Sequence, residues 1–423
     1  MRKYLPAALL TLVWAASSPA EESNWPRWRG PDDSGSTPYG TYCVRWGPTE
    51  NILWKAPLPG LGCSTPIVWG DLIIVTCADG DDDAVIAFDW AGREKWRATI
   101  GPQVRGKHRN GSGSNPSPVT DGEHVFVYYK SGNLAGLDLS GKVLWKTNLQ
   151  KRYGRSTLYW DVGTSPVLTE RDVVIAVMHE GGSYVAAFEK KTGELSWKVD
   201  RNYKTPREGD HSYATPVVVN HNGREVILVW GAEHVTAHDA ADGKLLWECG
   251  EFNPKQIRNQ PSVASPVVAG DVAVIPYGRT GRGGTVELTG VRLGGEGNVT
   301  KTHQVWKRSG VGAFVPSPAV AGGRVFSLSD EGEVVCLDAK SGGTIWKGAF
   351  PRSGGAKFYA SPVVADGKLY AVREDGIAFV ASADKDFKLL AENEMGERVI
   401  ASPVPVRDRL LIRGEKHLYC IGK

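Results

Sequence analysis

Three groups of residues in this sequence carry chemistry in their type and spacing. His211 follows Glu208 and Asp210, and a carboxylate beside an imidazole can orient the ring and hold its charge; a surface turn is the other reading. The run ADGDDDA sets Asp79, Asp81 and Asp83 at alternating positions, as in an oxygen-rich calcium loop. Trp90 stands at the twelfth position counted from Asp79, which excludes an EF-hand and leaves an exposed hairpin turn as the alternative. The third group is basic. RATIGPQVRGKHRNGSGSNP holds Arg97, Arg105, Lys107, His108 and Arg109 with no acidic residue, and KTNLQKRYGRSTLYWDVG holds Lys146, Lys151, Arg152 and Arg155 against Asp161 alone. These segments read either as solvated loops or as an anion-binding wall. In the second case residues 111–114 would offer backbone N–H groups, with Asn115 beside them.

Aromatic residues recur near the same positions: Tyr159 and Trp160, Tyr213, Phe314, Phe358 and Tyr359. At a concave mouth such rings stack on planar groups or sugars; packed inward they would plug a core. Six cysteines (Cys43, Cys63, Cys77, Cys249, Cys336, Cys420) lie apart, with no CxxC pair, so zinc and thioredoxin-like chemistry are not supported. Cys43 with Cys63, or Cys63 with Cys77, are the nearest partners for a disulfide; buried free thiols are the alternative. Neither RTGRGG near Arg279 nor LGGEGN at 293–298 leads from a strand into a helix, so neither reads as a phosphate loop. No catalytic residue and no metal site emerges from these patterns.

The elements that position these residues follow from composition and repetition. With 41% hydrophobic and 23% charged residues, the 423-residue chain is globular. Its formal charge of +3 falls to +1 without Arg2 and Lys3, which gives no electrostatic case for nucleic acid. Residues 1–20, MRKYLPAALLTLVWAASSPA, read as a signal peptide cleaved after Ala20. Their apolar stretch is too short to span a bilayer, and no cysteine follows to carry a lipid. The expectation is an exported protein, periplasmic or secreted, monomeric and without a transmembrane segment.

A Ser/Thr-Pro step followed by an apolar run recurs eight times, at Thr65, Ser117, Ser165, Thr215, Ser265, Ser317, Ser361 and Ser402, spaced 41 to 52 residues apart. Each unit continues through Gly/Asp turns and β-branched runs that read as four short antiparallel strands. Trp54, Trp96, Trp145, Trp197, Trp247, Trp306 and Trp346 share one late position, and the seventh unit alone has Leu389 and Leu390 there. Units that cannot bury both faces alone must stack, and radial stacking gives an all-β, eight-bladed propeller. The last unit stops after three strands, so residues 52–58 are expected to pair with 417–421 and close the ring. Residues 51–423 would form the propeller, and residues 21–50 an arm laid over its face with Trp25 and Trp28 buried against blades or the channel; a partner-docking tail is the other reading. The connectors from each Trp to the next Ser/Thr-Pro run 11, 21, 20, 18, 18, 11 and 15 residues. The four longest, in consecutive blades, build up one side of the channel mouth.

AFEKKTGELSWK, AHDAADGKLLWE and CLDAKSGGTIWK resemble the tryptophan-docking repeat of the quinoprotein, or PQQ-like, β-propellers. That family includes PQQ-dependent alcohol dehydrogenases and the propeller subunit of the outer-membrane β-barrel assembly machinery. Its enzymes hold a quinone beneath a vicinal disulfide, with a calcium ion on Glu and Asn and an Asp as base. No Cys-Cys pair exists here and no such set can be matched, so no catalytic residue carries over. The resemblance therefore implies a binding scaffold without cofactor, engaging an envelope protein or an anionic small-molecule or carbohydrate ligand. A dehydrogenase with PQQ and calcium is the alternative. The expected ligand-facing residues are Arg105, Lys107, His108, Arg109, Asn115, Arg152, Arg155, Tyr159, Trp160, Asp161, Asp210, His211, Tyr213, Phe314 and Tyr359.

Overall fold

A computed structural model describes residues 24–281 and 283–423; the expected signal peptide lies outside them. The described residues form eight four-stranded antiparallel blades arranged as a propeller. The inner strands are Ile67–Trp69, Val119–Thr120, Val167–Leu168, Val217–His221, Val267–Ala269, Ala319–Ala321, Val363–Ala365 and Val404–Val406. Each begins just after a Ser/Thr-Pro step, and those steps make a closed hydrogen-bonded ring. Thr65 N donates to Ser117 Oγ, and the same bond passes through Ser165, Thr215, Ser265, Ser317, Ser361 and Ser402 back to Thr65 Oγ1, at 2.8–3.2 Å. A hydroxyl is needed at every step because each one satisfies the buried amide of the preceding blade. The proline that follows has no N–H to leave unpaired facing the channel.

The outer strands carry the docking tryptophans into the next blade. Nε1 of Trp54, Trp96, Trp145, Trp197, Trp306 and Trp346 donates to the carbonyls of Trp90, Leu139, Lys190, Ala240, Ala339 and Asp384, at 2.7–3.2 Å. For the first five of these a glycine of the same turn lies flat on the indole, and Phe387 packs against Trp346 instead. A Cβ on Gly193 would sit 2.4 Å from Trp145, and one on Gly243 2.4 Å from Trp197; both glycines also have φ of about +70°, which side chains resist. The glycine turns that precede Trp96, Trp145, Trp197, Trp247 and Trp346 in sequence thus serve the tryptophan of the blade before. Trp247, 2% exposed, instead has its strand extended by a parallel pairing with Gly297–Asn298.

Ile52–Pro57 pairs antiparallel with His417–Ile421, joining Trp54 to Cys420 and Pro57 to His417, and closes the ring as expected. The preceding segment does more than cover a face. Trp25 exchanges both backbone hydrogen bonds with Val68, Pro26 O accepts from Thr120 N, and Ser34 O accepts from Val320 N. Ser36–Thr37 then adds a parallel strand to Val363–Ala365. These partners belong to the inner strands of blades 1, 2, 6 and 7, so the segment plugs the channel. Arg29, 5% exposed, donates from Nη2 to Pro318 O and Pro362 O. Where the seventh blade lacks its tryptophan, Trp46 packs among Ala391, Met395 and Tyr419, and its N–H is taken by Asn393 Oδ1.

The cysteines follow the buried-thiol reading and not the pairing of neighbours. All six cysteines are free, five of them buried; Cys77 and Cys420 share one blade interface, while Cys249 and Cys336 sit on strands in two others. Nearness in sequence says little about thiols that the repeat distributes around a ring.

The three alternating aspartates turn to three different partners. Asp79 pairs with Arg97 at 2.7 Å and Asp81 with Arg105 at 3.1 Å, while Asp83, 0% exposed, accepts from Ser131 Oγ and Asn133 Nδ2. No group of three metal-ligating side chains occurs among the described residues. Burial pushes the Asp83 carboxyl up from 3.8 to about 6, against those two hydrogen bonds. The folded state therefore binds a proton that the unfolded chain releases between those values. The stability this proton confers is present below about pH 4 and is lost as pH rises to 6. Asp83→Asn, which keeps the two acceptor contacts without the charge, is expected to gain about 2–3 kcal/mol relative to wild type between pH 4 and 7, at about 1.4 kcal/mol per pKa unit. Urea unfolding at the two pH values measures this; parallel curves would show that Asp83 ionises freely.

Candidate functional site

The Ser/Thr ring forms the base of a cavity of about 480 Å³ at the channel mouth. Trp28 of the inserted segment lines it, together with Trp160, Tyr213, Phe314 and Tyr359. Two sets of loops build its wall. The connectors between blades contribute His108, Asn110, Asn115, Trp160, Asp161, Tyr213, Phe314, Lys357 and Tyr359. The turns between the second and third strands of the blades contribute Arg279, Asp330 and Glu331.

Most charge in this wall is already spent on holding the loops. Asp161 accepts from Lys107 N at 2.8 Å, His108 N at 2.9 Å and Lys130 Nζ at 2.6 Å. Asp330 accepts from Phe314 N and Val315 N at 2.7 and 3.2 Å, and burial still raises its carboxyl above the ordinary range. Glu331 pairs with Lys357 at 3.1 Å. Arg279 lies over the Phe314 ring, 5.0 Å from its centroid. His108 meets Trp160 edge-on at 5.1 Å. Burial lowers the His108 pKa, and Asn110 N donates to Nδ1, so the neutral ring carries its proton on Nε2. Trp160 N donates to the Tyr213 hydroxyl oxygen at 3.0 Å, and burial raises that phenol.

Of the residues expected to face a ligand, the structure gathers His108, Asn115, Trp160, Asp161, Tyr213, Phe314 and Tyr359 at this cavity. It does not bring the basic side chains there. Arg105 pairs with Asp81, and Arg109 with Glu374 at 3.1 Å. Lys107 reaches the Tyr159 carbonyl. Arg152 lies over Tyr153 and Phe188 on the side of blade 3, and Arg155 is exposed. The 111–114 run turns its amides inward: Gly111 N donates to His108 O, Ser112 N to Asn115 Oδ1 and Ser114 N to Ser112 Oγ. An inward-folded cationic wall is therefore absent from these loops. Tyr159 stands at the rim, 55% exposed, edge-on to Trp160. His211 is 5% exposed with Nδ1 unpartnered; Asp210 lies 4.0 Å from Nε2, and burial lowers the ring's pKa. Neither residue lines the cavity.

Trp28, Asn110, Arg279, Asp330, Glu331 and Lys357 were not anticipated at the site. The signal lay in the repeat: Lys130, Asp330 and Glu374 each stand two residues before the glycine of the same turn. All three reach back to a connector, Glu374 through Asn110 Nδ2 and Lys357 N.

A family model described as outer membrane protein assembly factor BamB matches residues 36–206, 183–297 and 297–414. The chain belongs to this family of PQQ-like β-propellers. The outer membrane protein assembly factor BamB of Bordetella pertussis is 23% identical over 256 residues, 60% of this chain. The matched stretch spans 58% of that relative. Among solved structures, BamB from Moraxella catarrhalis superimposes with a TM-score of 0.61 at 14% identity, over 88% of this chain and 99% of its own. A europium-containing methanol dehydrogenase gives 0.55 at 12% identity, over 94% and 91%. At these identities the structural likenesses establish the shared fold.

The quinoprotein branch raises the question of whether a calcium-bound quinone fits here. The carboxylates do not supply the set. Asp161 and Asp330 are occupied by backbone amides and an ammonium group, and Glu331 by Lys357.

Proposed function

We propose that this chain is an exported, non-catalytic scaffold in outer-membrane protein assembly, holding a segment of a partner protein at the aromatic mouth of its channel. The observation that carries this reading is the cavity of about 480 Å³ lined by five aromatic side chains, with Trp160 still 41% exposed and Tyr159 55% exposed at its edge. Large rings held by short side chains offer contact area at low entropic cost, which is why Trp and Tyr dominate binding energy at protein interfaces. The family supplies the process; the site supplies the surface.

A photo-reactive amino acid at Tyr159 or Tyr359, activated in envelope-intact cells, is expected to cross-link to subunits of the β-barrel assembly machinery or their clients. Trp160→Ala should weaken that capture by roughly thirtyfold or more, a hot-spot loss of at least about 2 kcal/mol, with little change in stability. Cross-links confined to unrelated proteins would refute the reading. So would dye-linked alcohol oxidation by the purified chain after incubation with PQQ and calcium.

A further inference from the structure

Beside the main cavity, and sharing Cys63, Asn110, Gly111 and Ile400 with it, lies a chamber of about 40 Å³. Arg413, Arg398 and Arg109 all line it. Arg413 is 1% exposed. Its Nη1 is held by Ser64 O, Ser64 Oγ and Thr76 O, whereas Nε and Nη2 have no hydrogen-bond partner. Arg398 Nη2 is likewise buried and unpartnered, its nearest carboxylate, Glu374, standing 3.9 Å away.

The same protein provides a control for what a structural buried arginine looks like. Arg201, 3% exposed, places all its donors: Nε on Thr236 Oγ1, Nη1 on Gly231 O, and Nη2 on Val229 O and His234 O. Arg29, also buried, leaves Nη1 alone without a partner, whereas Arg413 leaves both donors of one edge idle. In Arg413 the vacant pair is the Nε/Nη2 edge, the two parallel N–H groups that fit the two oxygens of a carboxylate. The titratable groups that bear on it are Cys63, Cys77 and Tyr129. Burial raises all three, the thiols to about 11, so none supplies a negative charge near neutral pH. Gly62 makes room for the guanidinium itself, since a Cβ there would lie 1.9 Å from Nη2. A buried cation with two idle donors beside an open space is costly unless an anion completes it.

We infer that this chamber binds a single carboxylate group, held side-on by the Nε/Nη2 edge of Arg413 and from the opposite side by Arg398. A volume near 40 Å³ admits a carboxylate or a few waters and is tight for a tetrahedral oxyanion. It shares four lining residues with the main cavity, and the carboxylate is that of a free small acid or the end of an acidic side chain. The site stands independently of the scaffold reading, because it requires only an anion and not a partner protein. Glu415 also lines the chamber and competes with a ligand there, while Glu374 already pairs with Arg109 and stands 3.9 Å from Arg398, leaving Arg413 as the cation without a carboxylate.

The test is a titration of the full chain with ¹³C-formate followed by NMR, with sodium phosphate and sodium chloride in parallel at constant ionic strength. Saturable formate binding is expected, about tenfold weaker in Arg398→Gln, which removes a half-exposed side chain and leaves the Arg413 anchors intact. Glu415→Gln should bind more tightly. An acetylated, amidated Gly-Glu-Gly peptide that competes with formate, where its Gln counterpart does not, identifies a side chain as an acceptable source; failure of both peptides identifies a free small acid. No saturable formate binding, stronger binding of phosphate or chloride, or equal binding in Arg398→Gln would overturn the inference. Because Arg413→Met removes the bonds to Ser64 and Thr76 and risks unfolding, it is read only alongside the Arg398 variant.

Discussion

Deleting residues 24–58 is expected to leave a chain that does not fold cooperatively. Two consequences combine. Removing Ile52–Pro57 strips the outer strand from the eighth blade and exposes the edge of His417–Ile421, whose Leu418 and Cys420 are fully buried; open edges of that kind recruit other chains. Removing the inserted segment also empties the channel of Trp25 and strips Tyr42 and Trp46 from the interface of blades 7 and 8, residues that are 1%, 4% and 5% exposed. At roughly 3–5 kcal/mol per large aromatic removed from a core, these three alone match the 5–15 kcal/mol by which whole domains are stable. The inner-strand carbonyls of Pro318 and Pro362 would lose Arg29 as well. Circular dichroism melting and size-exclusion chromatography of the truncated chain decide the matter. A monomer with a cooperative transition within a few degrees of full length would mean that the ring is closed by something other than this strand.

The architecture was legible in the sequence because it is written eight times. A Ser/Thr-Pro step every 41–52 residues and a tryptophan at one phase of the period survive any local ambiguity about a single strand. The unmatched Trp54 strand also identified its own partner. The hydroxyl ring was present in the same letters, as Ser or Thr without exception, but its meaning required knowing that each residue serves the blade before it. The arm was harder. Its aromatic content announced burial, yet insertion into the channel depends on the free edges of inner strands, which no local pattern in residues 24–40 reports.

The site was legible only in part, for a definite reason. Long connectors rich in Arg, Lys and aromatics drew attention, and their aromatics do converge on the cavity. Their charges do not, because a second set of loops supplies counter-ions: Asp81 for Arg105, Glu374 for Arg109, and Lys130 for Asp161. Reading charge within one loop could not reveal pairing across 24 to 265 positions. The three arginines that do share a chamber lie on a connector, on the loop before blade 8 and at the end of a strand within that blade. Only one of them, Arg109, belonged to the basic cluster visible in sequence.

The second large effect concerns the docking residues themselves. Trp145→Ala is expected to destabilise the chain by about 2–4 kcal/mol, somewhat below the cost of emptying a fully buried aromatic site because the ring is partly exposed. The indole is enclosed from three directions. Gly193 of blade 3 lies against one edge, Gly136 of its own blade against another, and Phe126 approaches with ring centroids 6.0 Å apart. Its Nε1 also satisfies Lys190 O at 2.7 Å, so truncation both opens a void and orphans a carbonyl in the next blade. Trp145→Phe should recover part of the packing but not the hydrogen bond, leaving a deficit of roughly 1–3 kcal/mol for the unpaired group plus whatever volume is not refilled. Gly193→Ala should be destabilising too, since its Cβ would fall 2.4 Å from the ring at a positive φ. Because alanine there acts on the same contact, the double variant should cost less than the sum of the two. Urea unfolding of the four proteins gives the cycle. A Trp145→Ala chain of unchanged stability that had lost partner capture would make these tryptophans ligand contacts, whereas additive costs would show that the turn glycine and the indole act independently.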